Sequence, residues 1–200
     1  MNNVIKSLNT GLNPRQFFKL NTDDADKYYI TIREIRNGTI RPNEKTDRIN
    51  NSAWNLCNKR ANLEVGDVLF SGTGTIGETA IIKCCPSDWN IKEGVYAIKP
   101  IQELLLPSYL RYWLTTSDAK NRYMKKVAGG TVKSIPMAEL KNIVLPLPPI
   151  EEQRKIVNIL DRFDKLCNDI AEGLPAEIEM RQKQYEYYRD KLLSFGEVHC

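Results

Sequence analysis

The chain has 200 residues, 42% of them hydrophobic and 27% charged, with a formal net charge of +4. This length suffices for one sizeable apolar core with an appended element. The first residues, MNNVIKSLNT, lack the apolar segment of a signal peptide, and no apolar run approaches the roughly 20 residues of a membrane helix. The only histidine, His199, lies next to the last residue, which argues against catalysis by a buried histidine.

Cysteine usage gives a further exclusion. The five cysteines are odd in number and show no CxxC spacing. This argues against a zinc ribbon and against a disulfide framework, and it indicates a reducing compartment. We therefore expect a cytoplasmic protein.

Charge is unevenly distributed along the chain. Residues 1–149 carry 21 basic and 14 acidic residues, a net charge of +7, whereas residues 150–200 carry 8 and 11, a net charge of −3. A basic domain followed by an acidic tail is typical of a polyanion-binding module, although an ordinary solvated surface can carry the same moderate excess.

Short strands are predicted where aromatic and β-branched residues recur between loops. They are KYYITI (27–32), DVLFS (67–71), ETAIIK (78–83) and GVYAIK (94–99). Two helices follow: PSYLRYWLTT, with Pro107 in its first turn, and a second that begins with Ser117 as N-cap. Because no regular βαβ alternation occurs, the pattern predicts an α+β domain over residues 1–148, with mixed, mostly antiparallel strands.

The sequence from residue 149 to residue 200 is typical of a helical region. Pro149 suits a helix start, where its missing N–H is not needed, and Glu151 and Glu152 fall where the helix dipole favours acids. Apolar residues recur at heptad spacing, which predicts a coiled-coil-forming dimerisation and spacer region. The predicted partner-facing residues are Ile156, Ile159, Leu160, Phe163, Leu166, Ile170, Ile178, Tyr185, Tyr188, Leu192 and Phe195.

The two apolar series of this region are one residue out of register, and GLP (173–175) separates them. A proline inside a helix costs about 3 kcal/mol, so the region is either one long, kinked helix or two helices, the second starting at Pro175. Its apolar stripe needs cover from a second copy, from the other half of a longer chain, or from the preceding domain. Pro146, Pro148 and Pro149 stiffen the junction, as expected where the distance and orientation of two parts matter.

No motif predicts catalysis. GTGTIG (72–77) matches G-x-G-x-x-G, but strand-like sequence follows it where a dinucleotide site needs a helix, so a turn between strands is predicted. LPLPP lacks the polar and aromatic residues of the Asn/Asp-Pro-Pro-Tyr motif of DNA methyltransferases. Glu64, Asp67 and Glu78 are scattered, unlike the clustered carboxylates of a metal-dependent nuclease. We expect neither catalytic residues nor metal ligands.

Basic and hydroxyl residues cluster instead in GLNPRQFFK (11–19), REIRNGTIRP (33–42) and RYMKKVAGGTVKS (122–134). The last cluster ends in the predicted loop AGGTVKS (128–134), whose two glycines permit close backbone approach. Such residues bind phosphates and read base edges, although each one alone could equally be a solvated surface residue. The predicted DNA-binding residues are Arg15, Lys19, Arg33, Arg36, Arg41, Arg122, Lys125, Lys126, Thr131 and Lys133.

Four segments together resemble the specificity subunit of type I restriction-modification systems. They are TGLNPRQFFKL with YYITIREIRNGTI, LEVGDVLFSGTGTIGETAII, GGTVKSIPMAELKNIVLPLPPIEEQRKIVNILDRFD, and GLPAEIEMRQKQYEYYRDKLLSF, in this order over nearly the whole chain. The proline–EEQ–helix junction and QYEYYRDKLLSF are the most specific parts of this resemblance.

The resemblance implies a non-catalytic DNA-recognition subunit. In this family a target-recognition domain reads one half of a bipartite double-stranded DNA sequence, and a conserved helical region follows it. A full subunit contains this pair twice, and its helical regions form an antiparallel coiled coil that spaces the half-sites and docks methyltransferase subunits. The resemblance therefore implies no cofactor in this chain, S-adenosylmethionine in the methyltransferase partner, and a restriction subunit that joins through that partner.

This chain departs from the family pattern because it has one recognition domain and one helical region. It could be a half-subunit that homodimerises on a palindromic bipartite target, a fragment of a longer subunit, or an inactive remnant. An apolar stripe left exposed in a monomer favours the homodimer. The competing classes are a free-standing coiled-coil dimeric DNA-binding regulator and a pure protein-interaction module.

Overall fold

The computed structural model describes the backbone of residues 1–169 and 175–194 and the side chains of residues 1–166 and 179–194. The strands are β1 (Ile5–Thr10), β2 (Lys27–Ile30), β3 (Ile35–Arg36), β4 (Thr39–Ile40), β5 (Arg48–Ile49), β6 (Val68–Ser71), β7 (Thr79–Ile81), β8 (Trp89–Ile91) and β9 (Val95–Pro100). The helices are α1 (Pro14–Phe17), α2 (Asn51–Ala61), α3 (Pro107–Leu114), α4 (Ser117–Met124), α5 (Met137–Lys141), α6 (Ile150–Asp169) and α7 (Pro175–Leu193).

The largest sheet has four strands in the order β1-β9-β6-β7, and its neighbouring strands are antiparallel. A three-stranded sheet of order β5-β2-β8 combines an antiparallel pair with a parallel pair. The short strands β3 and β4 form an antiparallel hairpin. The prediction of an α+β fold with mixed, mostly antiparallel strands is confirmed.

Three predicted strands correspond to β6, β7 and β9, but the strand predicted over residues 27–32 ends at Ile30. It ends there because Thr31 caps a 3-10 turn over Ile32–Glu34. The backbone N–H and the hydroxyl of Thr31 both donate to the carboxylate of Glu34, at 2.8 and 2.7 Å. This capping box competes locally with the strand.

Helix α4 begins at the predicted residue, but its cap differs from the prediction. Thr116, rather than Ser117, is the N-cap, because the Thr116 hydroxyl accepts a hydrogen bond from the N–H of Ala119 at 3.1 Å. Helix α2 was not predicted at all, and Asn50 caps it by accepting from the N–H of Ala53 at 2.9 Å.

Both faces of the four-stranded sheet are buried. Val68 and Phe70 of β6 contribute to the core on one face, where the sheet packs on α3, and α3 in turn packs on α6. Leu69 lies on the other face, in a second core that includes Ile30 of β2 and Ile91 of β8. The alternation along β6 therefore joins the two cores through one strand.

Helix α6 begins directly after Pro149, as predicted, and the Pro149 carbonyl accepts from the N–H groups of Glu152 and Gln153. Helices α6 and α7 pack against each other, and the rings of Phe163 and Tyr188 stack with their centroids 5.8 Å apart. Because only residues 170–174 separate the two helices, this contact requires an antiparallel pair.

The helical region is therefore not one continuous rod. Helix α6 ends at Asp169, and α7 begins at Pro175, the residue predicted to start a second helix. Three buried apolar residues of α6 and one of α7 belong to the same core as the four-stranded sheet: Ile156, Val157, Leu160 and Leu193. The preceding domain thus covers much of the apolar stripe.

Other apolar residues of the region stay accessible, including Ile159 and Leu166, which are 40% and 52% exposed. Among the helices that the structure describes, none combines the length and the apolar character needed to cross a bilayer. Three predicted features lie outside the described residues: Ile170 and Phe195, the side chain of Ile178, and the geometry of the predicted kink or break at Gly173 to Pro175.

Candidate nucleic-acid interface

Two loops that lie far apart in the sequence are joined by backbone hydrogen bonds. The N–H of Gly74 donates to the carbonyl of Lys133, and the N–H of Ile135 donates to the carbonyl of Gly72, both at 2.9 Å. Thr73 and Ser134 form an isolated antiparallel bridge between these bonds. The glycine turn (72–77) and the basic loop (128–134) therefore form one platform, which we call the loop platform.

The basic loop is also closed on itself. Ala128 and Ser134 exchange two backbone hydrogen bonds, at 2.8 and 2.9 Å. The intervening residues, among them Thr131 and Lys133, are exposed. A loop held at its base in this way presents its exposed side chains from a defined position.

Packing explains two of the glycines in GTGTIG. A Cβ on Gly72 would overlap the ring of Tyr96, and a Cβ on Gly77 would overlap the hydroxyl of Tyr123. Gly77 also has a positive φ of 102°, a conformation that disfavours other residues. The segment connects β6 to β7, which confirms the predicted turn between strands.

Two adjoining depressions lie beside the loop platform, with volumes of about 410 and 430 Å³. Both are lined by Thr73 of the glycine turn and by the turn Lys92–Gly94. Pro14 and Arg33 line the first depression, and Val132 lines the second. We call the two depressions together the concave surface.

Sequence reasoning missed part of this surface. Asn13 lines it and caps α1 by accepting from the N–H of Arg15 at 3.0 Å, and the exposed Lys92 and Glu93 add one charge of each sign. The Asn-Pro pair at residues 13–14 is a helix-start signal, and Gly94 indicates a turn. Both local features could therefore be predicted from the sequence. Nothing local in the sequence places them beside the basic loop.

Some of the predicted basic residues form ion pairs with neighbouring carboxylates, and others do not. Arg33 lies 2.8 Å from Asp47, Arg122 lies 2.8 Å from Asp118, and Lys126 lies 3.1 Å from Glu139. Lys19, Lys125 and Lys133 are exposed and make no ion pair with the side chains that the structure describes. Exposed ion pairs contribute little to stability, so the paired residues can still exchange partners.

The structure does not bring all predicted residues to one place. Arg33 lines the concave surface, and Arg15 follows Pro14, which lines it too. Arg36 is the last residue of β3, and Arg41 follows β4. Gly38, in the turn of this hairpin, lies against the guanidinium of Arg111. The tip of that hairpin lines a different cleft, which α7 also borders.

The buried cysteine, Cys57, has a structural role. Burial raises the pKa of Cys57 to about 11, which keeps its thiol neutral and unreactive at ordinary pH. Among the residues that the structure describes, no group of His, Cys, Asp and Glu side chains could hold a metal ion.

A comparison with known families assigns most of the chain to one of them. Residues 4–180 match the family described as the type I restriction modification DNA specificity domain. Because this match covers most of the chain, the protein belongs to that family.

Individual relatives support the same membership. The chain is 44% identical over 105 residues to the EcoR124I/EcoR124II specificity subunit of Escherichia coli, covering 52% of this chain and 26% of the relative. It is 40% identical over 131 residues to a putative type I restriction enzyme specificity subunit of Haemophilus influenzae, covering 66% of this chain and 32% of the relative.

A solved structure shares the fold. The HsdS subunit from Thermoanaerobacter tengcongensis superimposes with a TM-score of 0.58 at 20% identity, over 96% of this chain and 43% of that one. The chain thus spans about a quarter to a third of the curated relatives above and under half of this solved chain.

Proposed function

We propose that this chain reads one half of a bipartite double-stranded DNA target as the specificity component of a type I restriction-modification assembly. The observation that carries the proposal is the loop platform, where a closed basic loop presents exposed residues beside the concave surface. Family membership supports the same function.

In this proposal the loop platform and the concave surface face the DNA. Lys133, Arg15 and Arg33 contact phosphates, and the polar residues between them read base edges in the major groove. We propose that the domain reads about three or four base pairs in this way, comparable to other small DNA-binding modules. Lys19, Arg36, Arg41, Arg122, Lys125, Lys126 and Thr131 are proposed as additional contacts.

The chain itself performs no chemistry in this proposal. A methyltransferase subunit supplies the methyl transfer from S-adenosylmethionine, and a restriction subunit joins through that methyltransferase. The proposed target is the genomic DNA of a bacterium or archaeon. Because that DNA lies in the cytoplasm, the cytoplasm is the proposed place of action. Residues 1–148 would form the recognition domain, and residues 149–200 the dimerisation and spacer region.

The helical region is proposed to join two copies of the chain. Ile159 and Leu166 lie one heptad apart on α6 and are exposed, and Tyr187 and Met180 of α7 are 61% and 72% exposed. Exposed apolar residues at helical spacing favour burial against another helix. A two-fold axis through this face would present two identical recognition domains to a gapped palindrome, and the remaining surface would dock the methyltransferase.

The test is to co-express the chain with the type I methyltransferase subunit of the same genome and to map methylated adenines by sequencing. We expect a gapped palindrome that appears only when this chain is present. A gapped asymmetric motif would instead indicate a second, different half and would refute the homodimer.

A third outcome would count against the whole proposal. If the complex with the methyltransferase forms but no new methylation appears, the chain is an inactive remnant or acts otherwise. The free-standing regulator would then be tested by measuring whether the chain alone binds a specific site tightly without any methyltransferase.

A further inference from the structure

Gln153 joins three segments of the fold at the start of α6. The side chain is fully buried, with 0% exposure. Its amide nitrogen donates to the carbonyl oxygens of Leu104 and Pro148, at 2.8 and 2.9 Å, and its amide oxygen accepts from the N–H of Leu106 at 2.9 Å. A buried amide is costly unless its polar atoms are paired, and here they are paired across the junction.

A second attachment joins the same two helices further along. The Tyr112 hydroxyl of α3 donates to the carboxylate of Asp161 on α6 at 2.6 Å, and Arg111 lies 3.8 Å from Asp164. Leu106 is the N-cap of α3, so Gln153 holds the start of α3 while Asp161 holds its end. Eight residues separate the two attachments on α6, about 12 Å along the helix.

Two attachments fix the direction of α6, whereas one would leave a pivot. If the Gln153 attachment is lost, the attachment at Asp161 becomes the pivot, and eight residues separate Asp161 from Asp169 at the end of α6, about 12 Å along the axis. A rotation of about 20° would therefore move that end by about 4 Å, which exceeds the rise of about 3.4 Å per base pair of DNA. The angle between α6 and the recognition domain thus translates directly into base pairs of spacing.

We propose that Gln153 is a positioning residue that sets the number of base pairs between the two half-sites. It acts by holding α6 at one angle to the recognition domain, and it does not touch the DNA. The inference rests on the proposed function, in which the helical region joins two recognition domains. To that function the inference adds a specific residue, Gln153, that determines the spacing between the half-sites.

The test uses the full chain with its methyltransferase and a library of random-sequence DNA duplexes, from which bound duplexes are selected and sequenced. The wild-type protein should enrich paired half-sites at one spacing, with other spacings reduced by about tenfold or more. Gln153→Met keeps the side-chain volume and the helix propensity but removes the three hydrogen bonds. It should enrich the same half-sites with the neighbouring spacings within about threefold of the main one.

Gln182→Met is the matched control, because it makes the same change at an exposed position of α7, away from Met180 and Tyr187, and should keep the single spacing. A Gln153→Met variant that also keeps the single spacing overturns the proposal. A purely structural role would lower enrichment at all spacings equally, and that result overturns it as well.

A second variant guards against a folding defect. Gln153→Leu also removes the three hydrogen bonds, without burying a charge, so it should broaden the spacing in the same direction. If it folds and keeps the single spacing, the proposal is wrong. If the wild-type protein enriches no paired half-sites, the proposed function fails instead.

Discussion

Lys133 is the residue whose replacement best tests the proposed DNA contact. It is exposed in the basic loop, and its backbone carbonyl, rather than its side chain, holds the glycine turn. Lys133→Ala should therefore leave the loop platform intact and weaken DNA binding. The loss of one phosphate contact should lower the slope of log affinity against log salt by about 0.9. Fluorescence anisotropy with a labelled duplex at several salt concentrations measures both quantities.

Lys6→Ala provides the control for this measurement. Lys6 is exposed near the opposite end of β1 from Thr10, which lines the concave surface. Its replacement should leave affinity and salt slope unchanged. Equal losses in the two variants would mean that the effect is general charge and not a contact made by the loop.

The glycine turn makes a separate prediction about stability. Gly77→Ala combines a positive φ with an overlap against the Tyr123 hydroxyl, whereas Gly74 has a positive φ of 79° but open space around a Cβ. Gly74→Ala should lower the free energy of unfolding by about 1 kcal/mol, and Gly77→Ala by about 3 kcal/mol. Urea unfolding of both variants tests this difference. Similar losses would show that backbone strain alone explains the glycines.

At the scale of the elements, the exposed face of α6 predicts self-association. Leu166→Asp places a charge on the 52% exposed residue of that face and should shift a dimer to a monomer. Its free energy of unfolding should change little within the monomer, because Leu166 is not in the core. Light scattering measures the mass, and Asn158→Asp adds the same charge on another exposed face as the control. A Leu166→Asp variant that stays dimeric removes this face from the proposal.

Phe163 tests a different contact of the same helix. The sequence predicted it as a residue between partner chains, but its ring stacks on Tyr188 of the same chain. Phe163→Asp should therefore weaken the packing of α7 on α6 as well as any dimer. A comparison with Leu166→Asp in denaturant separates the two effects, because only Phe163→Asp should lower the unfolding midpoint clearly.

Helices and strands could be predicted where neighbouring residues carry a clear signal. They could not be predicted where tertiary packing stabilises them. The strands β6, β7 and β9 follow from β-branched and aromatic runs, and α6 follows from Pro149 and its acidic first turn. The hairpin β3–β4 carries a local signal, because the Asn37–Gly38 pair is typical of a tight hairpin turn and both residues have positive φ there. Helix α2 is polar over much of its length, and tertiary packing of Ala53, Cys57 and Ala61 stabilises it.

For the whole molecule, the shared core predicts that residues 1–148 and the helical region unfold together. Leu160 of α6 has 0% exposure and belongs to the same core as Val68 and Phe70 of β6. Leu160→Ala should lower the free energy of unfolding by about 2–5 kcal/mol. Tryptophan fluorescence and far-UV circular dichroism should then report one common transition. Two separate transitions would show that the regions fold independently across residue 148.

The sequence by itself determined the features that depend on neighbouring residues. The turn at GTGTIG, the helix start after Pro149 and the exposed basic loop each follow from dihedral preferences or hydrogen bonds within a few positions. The resemblance to the specificity subunits also needed only the order of local motifs.

Only the tertiary structure decided which of these features meet. The glycine turn and the basic loop are about 60 residues apart, and their pairing through Gly74 and Lys133 depends on how the sheet and α4 bring the chain back. The structure likewise divided the apolar residues predicted to face a partner into Leu160, buried in the core, and Leu166, exposed on the surface. The physical reason is that periodicity marks an apolar face, while the surface that covers it comes from distant parts of the chain.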